Sequence, residues 1–167
     1  MPTDFLVLVQ RDHGDLHQEL TRLLDPTATV AQLRAALDGV RLGLTAHAEA
    51  EDIVLGRFEG IPALQEMLAQ GRSAHVAQER GLSALVTARP GTSSWRDRAH
   101  HLRELVRQHA KQEEAYLLPA LREHAPADDY AQLAGAFATE RLRQLAMLQP
   151  SAPVFWPFTL AEAQAVG

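Results

Sequence analysis

The 167-residue chain contains no cysteine. Disulfides, thiolate metal sites, iron–sulfur clusters and cysteine nucleophiles are excluded together. Lysine is almost missing too: Lys111 stands alone among 16 basic residues. Basic charge is in deficit overall, with 21 Asp and Glu and a formal net charge of −5. No electrostatic footprint for nucleic acid follows from such a balance. Aromatic residues make up 5%. No apolar run approaches the roughly 20 residues of a membrane-spanning helix. The apolar run at residues 5–9 is too short for a signal-peptide core and has no basic region before it. A soluble cytoplasmic protein, without nucleic-acid or membrane partners, is the expectation.

What is there is helix-forming. Ala, Leu, Gln, Glu and Arg dominate, and the length suits one domain with a proper core. Thr3 or Asp4 caps a first predicted helix to about Leu24, with Leu6, Val9, His13, Leu16, Leu20 and Leu23 on one stripe. Thr29 caps a second, to about Phe58, whose stripe runs from Val30 through His47 and Glu51 to Phe58 in alternating steps of three and four. Pro62 opens a third, carrying His75 and Gln78 on its apolar face. Ser93 or Ser94 caps a fourth, with Leu102, Val106, His109, Glu113, Tyr116 and Ala120 inward and a kink at Pro119. Residues 126–148 read as a fifth helix, without histidine and without an evident share in a site. Short connections make neighbours antiparallel, so the expected fold is an all-α, up-down-up-down four-helix bundle with an additional C-terminal helix. Residues 1–148 form the domain and 149–167 a proline-rich extended tail, a candidate homodimer contact.

The four inner faces share a pattern. From His13 to His75, from His47 to His109 and from Glu51 to Glu113 the separation is 62 residues each time. Histidine and glutamate four apart lie one above the other on a helix, so ring nitrogen and carboxylate can reach one point beside it. A carboxylate in an apolar seam needs a partner or a metal. Imidazole and carboxylate together suit iron, zinc or copper, and carboxylates can bridge two cations. A lone histidine on an apolar face is best read as an ordinary core residue. Six residues repeating at one offset, all on core faces, point to a metal site instead. His100, His101 and His124 fall off the stripes and read as surface or capping residues. Asp52 and Glu114, beside the two glutamates, read as supporting or solvent-facing groups, although a shift of one residue would exchange the roles.

With His13, then His47-x-x-x-Glu51, then His75, then His109-x-x-x-Glu113, the chain resembles the hemerythrin-like family, the HHE cation-binding domain. Residues 10–13 (Gln-Arg-Asp-His) and 113–119 (Glu-Glu-Ala-Tyr-Leu-Leu-Pro) are similar to that family's local patterns. The resemblance covers about residues 4–148. It implies two non-haem iron ions with an oxo or hydroxo bridge. Glu51 and Glu113 would link the irons, His13 and His47 would hold one, and His75 and His109 the other. Oxygen carriers of the family have a further histidine four residues after the third-helix histidine. Here that residue is Glu79, and its counterpart in the first repeat is His17; either is a candidate seventh ligand. The expected function is binding or sensing of dioxygen, peroxide or nitric oxide. A redox enzyme reducing peroxide or nitric oxide or oxidising ferrous iron is one alternative, and an iron-responsive interaction module another. Seven protein ligands would leave an open position on one iron and favour reversible binding. Six would leave one on both and favour turnover.

Overall fold

The computed structural model describes residues 3–149, and the proline-rich tail lies outside them from residue 150 on. Four long helical segments make the bundle: α1 (Phe5–Arg22), α2 (Val30–Leu55), α3 (Pro62–Val86) and α4 (Ser93–Gln112). A π-helical turn, Glu113–Leu117, carries α4 without a break into α5 (Leu118–His124). The final helix, α6 (Ala127–Leu148), packs on α2 and α1. All described elements are helical, so the architecture is the expected bundle with one extra helix.

Local chemistry sets the boundaries. The Asp4 carboxylate accepts from the Leu6 N–H and starts α1. Thr29 and Gln32 form a reciprocal capping box at α2. Pro62 opens α3, where its missing N–H costs nothing. The cap of α4 is Thr92 rather than Ser93 or Ser94, and its hydroxyl accepts from the Trp95 N–H. Gly91, at φ 81°, makes the left-handed step before it. In α1 the first inward residue is Phe5, with Leu6 half-buried beside it.

Gly81 has a packing reason. A Cβ there would lie 3.2 Å from Leu105 Cδ1 and 3.4 Å from Leu102 Cδ1, so its absence lets α3 lie close against α4. The apolar interior falls into two clusters. One runs from Leu16 to Trp95 and Val106. Trp95 anchors it, fully buried, with its indole N–H donating to the Leu23 carbonyl at 2.9 Å. The other joins Phe5, Val9 and Val54 to Leu121, Leu133 and Phe137. The buried polar residues belong to neither cluster, and they come from all four bundle helices.

The π turn corrects one sequence-based expectation. Steps of three and four predict an inward Tyr116, yet it is 67% exposed. After Glu113 the Leu118 N–H reaches back to the Glu113 carbonyl, five residues away. The wider turn rotates everything beyond it, so Leu117, Leu118 and Leu121 face inward instead. Pro119 follows at once and lacks the N–H that a regular turn would need there.

Candidate metal centre

His13, His47, Glu51, His75, His109 and Glu113 meet in the bundle interior, each at most 7% exposed. Two groups form: His47, Glu51, His75 and His109, and His13, His47 and Glu113, with the potential ligand atoms of each within 4.8 Å of one another. Each glutamate touches histidines from both repeats. Glu51 Oε2 lies 3.4 Å from His47 Nε2, 3.2 Å from His75 Nε2 and 3.9 Å from His109 Nε2. Glu113 Oε2 lies 3.1 Å from His13 Nε2 and 3.5 Å from His109 Nε2.

Closeness here is not hydrogen bonding. His13 Nε2, His47 Nε2 and both oxygens of Glu51 and of Glu113 are buried without a hydrogen-bond partner. Buried polar atoms normally find one, since leaving them bare costs about 1–3 kcal/mol each. Six such atoms aimed at one another fit a donor set for cations.

The imidazoles are held from behind. His47 Nδ1 lies 2.7 Å from Asp12 Oδ2, His75 Nδ1 2.9 Å from Asp52 Oδ1, and His13 Nδ1 2.8 Å from Glu114 Oε1. A carboxylate accepting from Nδ1 orients the ring and leaves the Nε2 lone pair for a metal. Asp52 and Glu114 are themselves 62 residues apart, so the two supports of His75 and His13 obey the repeat. The third support breaks it, because Ala74 stands where the counterpart of Asp12 would be. Asp12 is gripped in turn by Arg141 of α6, with Nε at 3.0 Å from Oδ2 and Nη2 at 2.7 Å from Oδ1. Phe137, one turn earlier, packs against the His47 ring, the centroids 5.8 Å apart. Helix α6 thus takes part in the centre, against the expectation from its lack of histidine. The sequence signal that was available is the acid beside His13; the guanidinium partner 129 residues away left none.

Electrostatics agree with a site built for positive charge. Burial favours the neutral form of both carboxyls. For Glu51 the facing Glu113 and the imidazoles of His109, His75 and His47 outweigh it and hold the group well below the usual carboxylate range. For Glu113 burial and the charge of Glu51 act together and push it well above. Two carboxylates sharing a desolvated site cannot both ionise without a cation. Burial opposes charge on His75, but Asp52 and Glu51 prevail and lift its pKa to about 9. Burial and His47 depress His13 to about 4. A bound cation would displace the remaining protons.

Glu79 and His17 are not brought to this cluster. Both are exposed, and neither belongs to the two groups of donors. The physical reason is the step along the helix. One turn beyond His75 and His13 the inward positions are Gln78 and Leu16, both buried, and the next residue turns out to solvent. Glu79→Ala is expected to keep its full metal complement, measured by elemental analysis; loss of half or more would make Glu79 a ligand. His100, His101 and His124 are exposed as expected.

The comparisons with known proteins fit this geometry. The model of the Hemerythrin HHE cation binding domain matches residues 4–121. The chain belongs to that family. Among curated proteins it is similar to one described as a DNA nickase, from Nostoc sp. (strain PCC 7120 / SAG 25.82 / UTEX 2576). The two are 26% identical over 138 residues, 78% of this chain and 37% of the relative. The chain therefore spans little more than a third of that protein. No solved structure matches significantly. Among the described residues no helix is long and apolar enough to cross a membrane.

Proposed function

We propose that this HHE domain holds two non-haem irons between its four helices and binds or senses a small ligand such as dioxygen, peroxide or nitric oxide. The observation that carries the reading is the set of six buried donor atoms on His13, His47, Glu51 and Glu113 that have no partner within the protein. His75 and His109 complete the set, their Nε2 atoms 3.1 Å apart. Bound iron would supply a redox-active Lewis acid. The chain's own residues do the rest. Glu51 and Glu113, each reaching histidines of both repeats, would hold the cations together with the four imidazoles. Asp12, Asp52 and Glu114 fix three rings in the orientation that presents Nε2. The two apolar clusters flank the centre and hold the four helices around it.

Turnover as a redox enzyme is the second reading, and it is favoured by the position of Glu79. With that carboxylate in solvent, six side chains form the donor set, which leaves room for an exogenous ligand on either metal. DNA cleavage, the activity in the relative's name, finds less support. Paired metals can clamp a phosphodiester, but a chain of net charge −5 offers little to draw a polyanion in.

Elemental analysis of protein expressed in iron-replete medium is the test. Two irons per chain are expected, with near-ultraviolet and visible absorption from oxygen-ligated ferric iron. One zinc per chain and a featureless spectrum would rule the reading out. Mixing the reduced protein with air-saturated buffer then separates the two roles. Recovery of the reduced spectrum under vacuum marks a binder, and irreversible oxidation marks redox chemistry.

A further inference from the structure

The 62-residue repeat gives each position on α1 and α2 a counterpart on α3 and α4. The two sides of the centre can therefore be compared residue against residue as far as Glu113, where the π turn shifts the register. On the first side Phe5, Val9, Ala50 and Val54 are buried in one apolar cluster with Phe137 of α6. The Phe137 ring stands 5.8 Å from Phe5 and 5.8 Å from His47. On the second side the counterparts are Met67, Gly71, Gln112 and Tyr116, and they line a cavity of about 320 Å³. Among the described residues nothing plays the part of Phe137 there. Val54 is 3% exposed, whereas the π turn carries Tyr116 outward to 67% and buries Leu117 in its stead.

The floor of this cavity is His109 and Glu113, one residue from each group of donors. A second cavity, between α2 and α3, meets the donor set only at His75, alongside the Asp52 that holds that ring's other nitrogen. A third, lined by Glu51, His75, Gly71, Arg72 and Glu113, also touches both groups, but at about 10 Å³ it has room for no more than a single water. The first cavity is the roomy one that reaches both groups. Its wall has amides at Gln70 and Gln112, a phenol at Tyr116, a thioether at Met67 and a carboxylate at Glu66, with no Lys or Arg. That lining suits uncharged molecules over anions. Its volume is about ten times a water molecule's share of the liquid, so more than a diatomic gas fits.

We infer that small uncharged molecules reach the metal centre from the α3/α4 side through this cavity, and that Phe137 closes the matching approach between α1 and α2. The inference rests on the metal-centre reading and adds to it a direction and a class of ligand. Gly71 makes it testable. A Cβ at that position meets nothing within 4 Å, so a side chain there grows into open space. Its counterpart Val9 is fully buried.

The experiment mixes nitric oxide with the reduced, iron-loaded full chain in a stopped-flow spectrometer. Gly71→Phe should slow association tenfold or more, and Gly71→Val by a smaller factor. Metal content and the final spectrum should match wild type, which a merely structural lesion would not allow. Adding Phe137→Ala to Gly71→Phe should restore part of the rate by opening the twin position. If the phenylalanine variant fails to hold metal, the valine variant decides. Wild-type association rates in a metal-replete Gly71 variant would overturn the inference. A wild-type protein found to carry no metal, before any gas is added, would overturn the metal-centre reading and this inference with it.

Discussion

Glu51→Ala and Glu113→Ala are each expected to leave the purified protein with about a tenth of the wild-type metal or less. Changing even a residue that only supports a ligand costs roughly 10–100-fold in metal affinity, and these two stand in the donor set itself. Each lies within reach of imidazoles from both repeats, between 3.1 and 3.9 Å. Losing either removes a donor that reaches imidazoles of both repeats and a negative charge that offsets the cations. The effect should not depend on a collapsed fold, because the apolar clusters on either side stay intact. His100→Ala, at an exposed position on α4, serves as the control and should keep its metal. Elemental analysis of the three variants settles the matter. Equal metal in all three would mean that the two glutamates are ordinary buried acids.

Stripping the metal should lower the melting temperature by about 10 °C or more. A ligand bound only by the native state, at roughly a thousand times its dissociation constant, stabilises by about 4 kcal/mol. A domain of this size shifts by roughly 2–4 °C for each kcal/mol. The stripped centre is also a poor interior. It buries two carboxyls and four imidazoles with six atoms unpartnered, and unpaired buried charge is among the costliest features a core can have. Differential scanning calorimetry with and without chelator measures the shift. An unmoved melting temperature would show that these residues hold no cation in the native state.

Much of this was legible from hydrophobic periodicity and one repeated offset. The stripe Leu33, Leu37, Val40, Leu44 is buried as read, and it delivers His47 and Glu51 to the interior because a helix carries its face forward without a break. Thr29 and Pro62 marked helix starts for reasons a sequence displays directly. Three features could not be read in the same way. The π turn is a backbone event with no residue of its own, so the exposure of Tyr116 was hidden. Gln78 and Glu79 are both about one turn from His75, and periodicity alone does not say which faces inward. The supports behind the imidazoles join residues distant in the chain, such as Asp12 with His47 and with Arg141, and pairings of that kind appear only when the helices are assembled.

The run from Arg141 through Asp12 to His47 makes the docking of α6 and the binding of metal two readings of one equilibrium. Free-energy cycles close, so whatever factor separates the metal affinities of docked and undocked α6 must equally separate the docking constants of loaded and empty protein. A tenfold preference in one is a tenfold preference, about 1.4 kcal/mol, in the other. A force or a partner that lifts this helix would therefore lower the protein's hold on its metal. Depletion of the metal would in turn loosen the helix, even though Arg141 itself touches only Asp12.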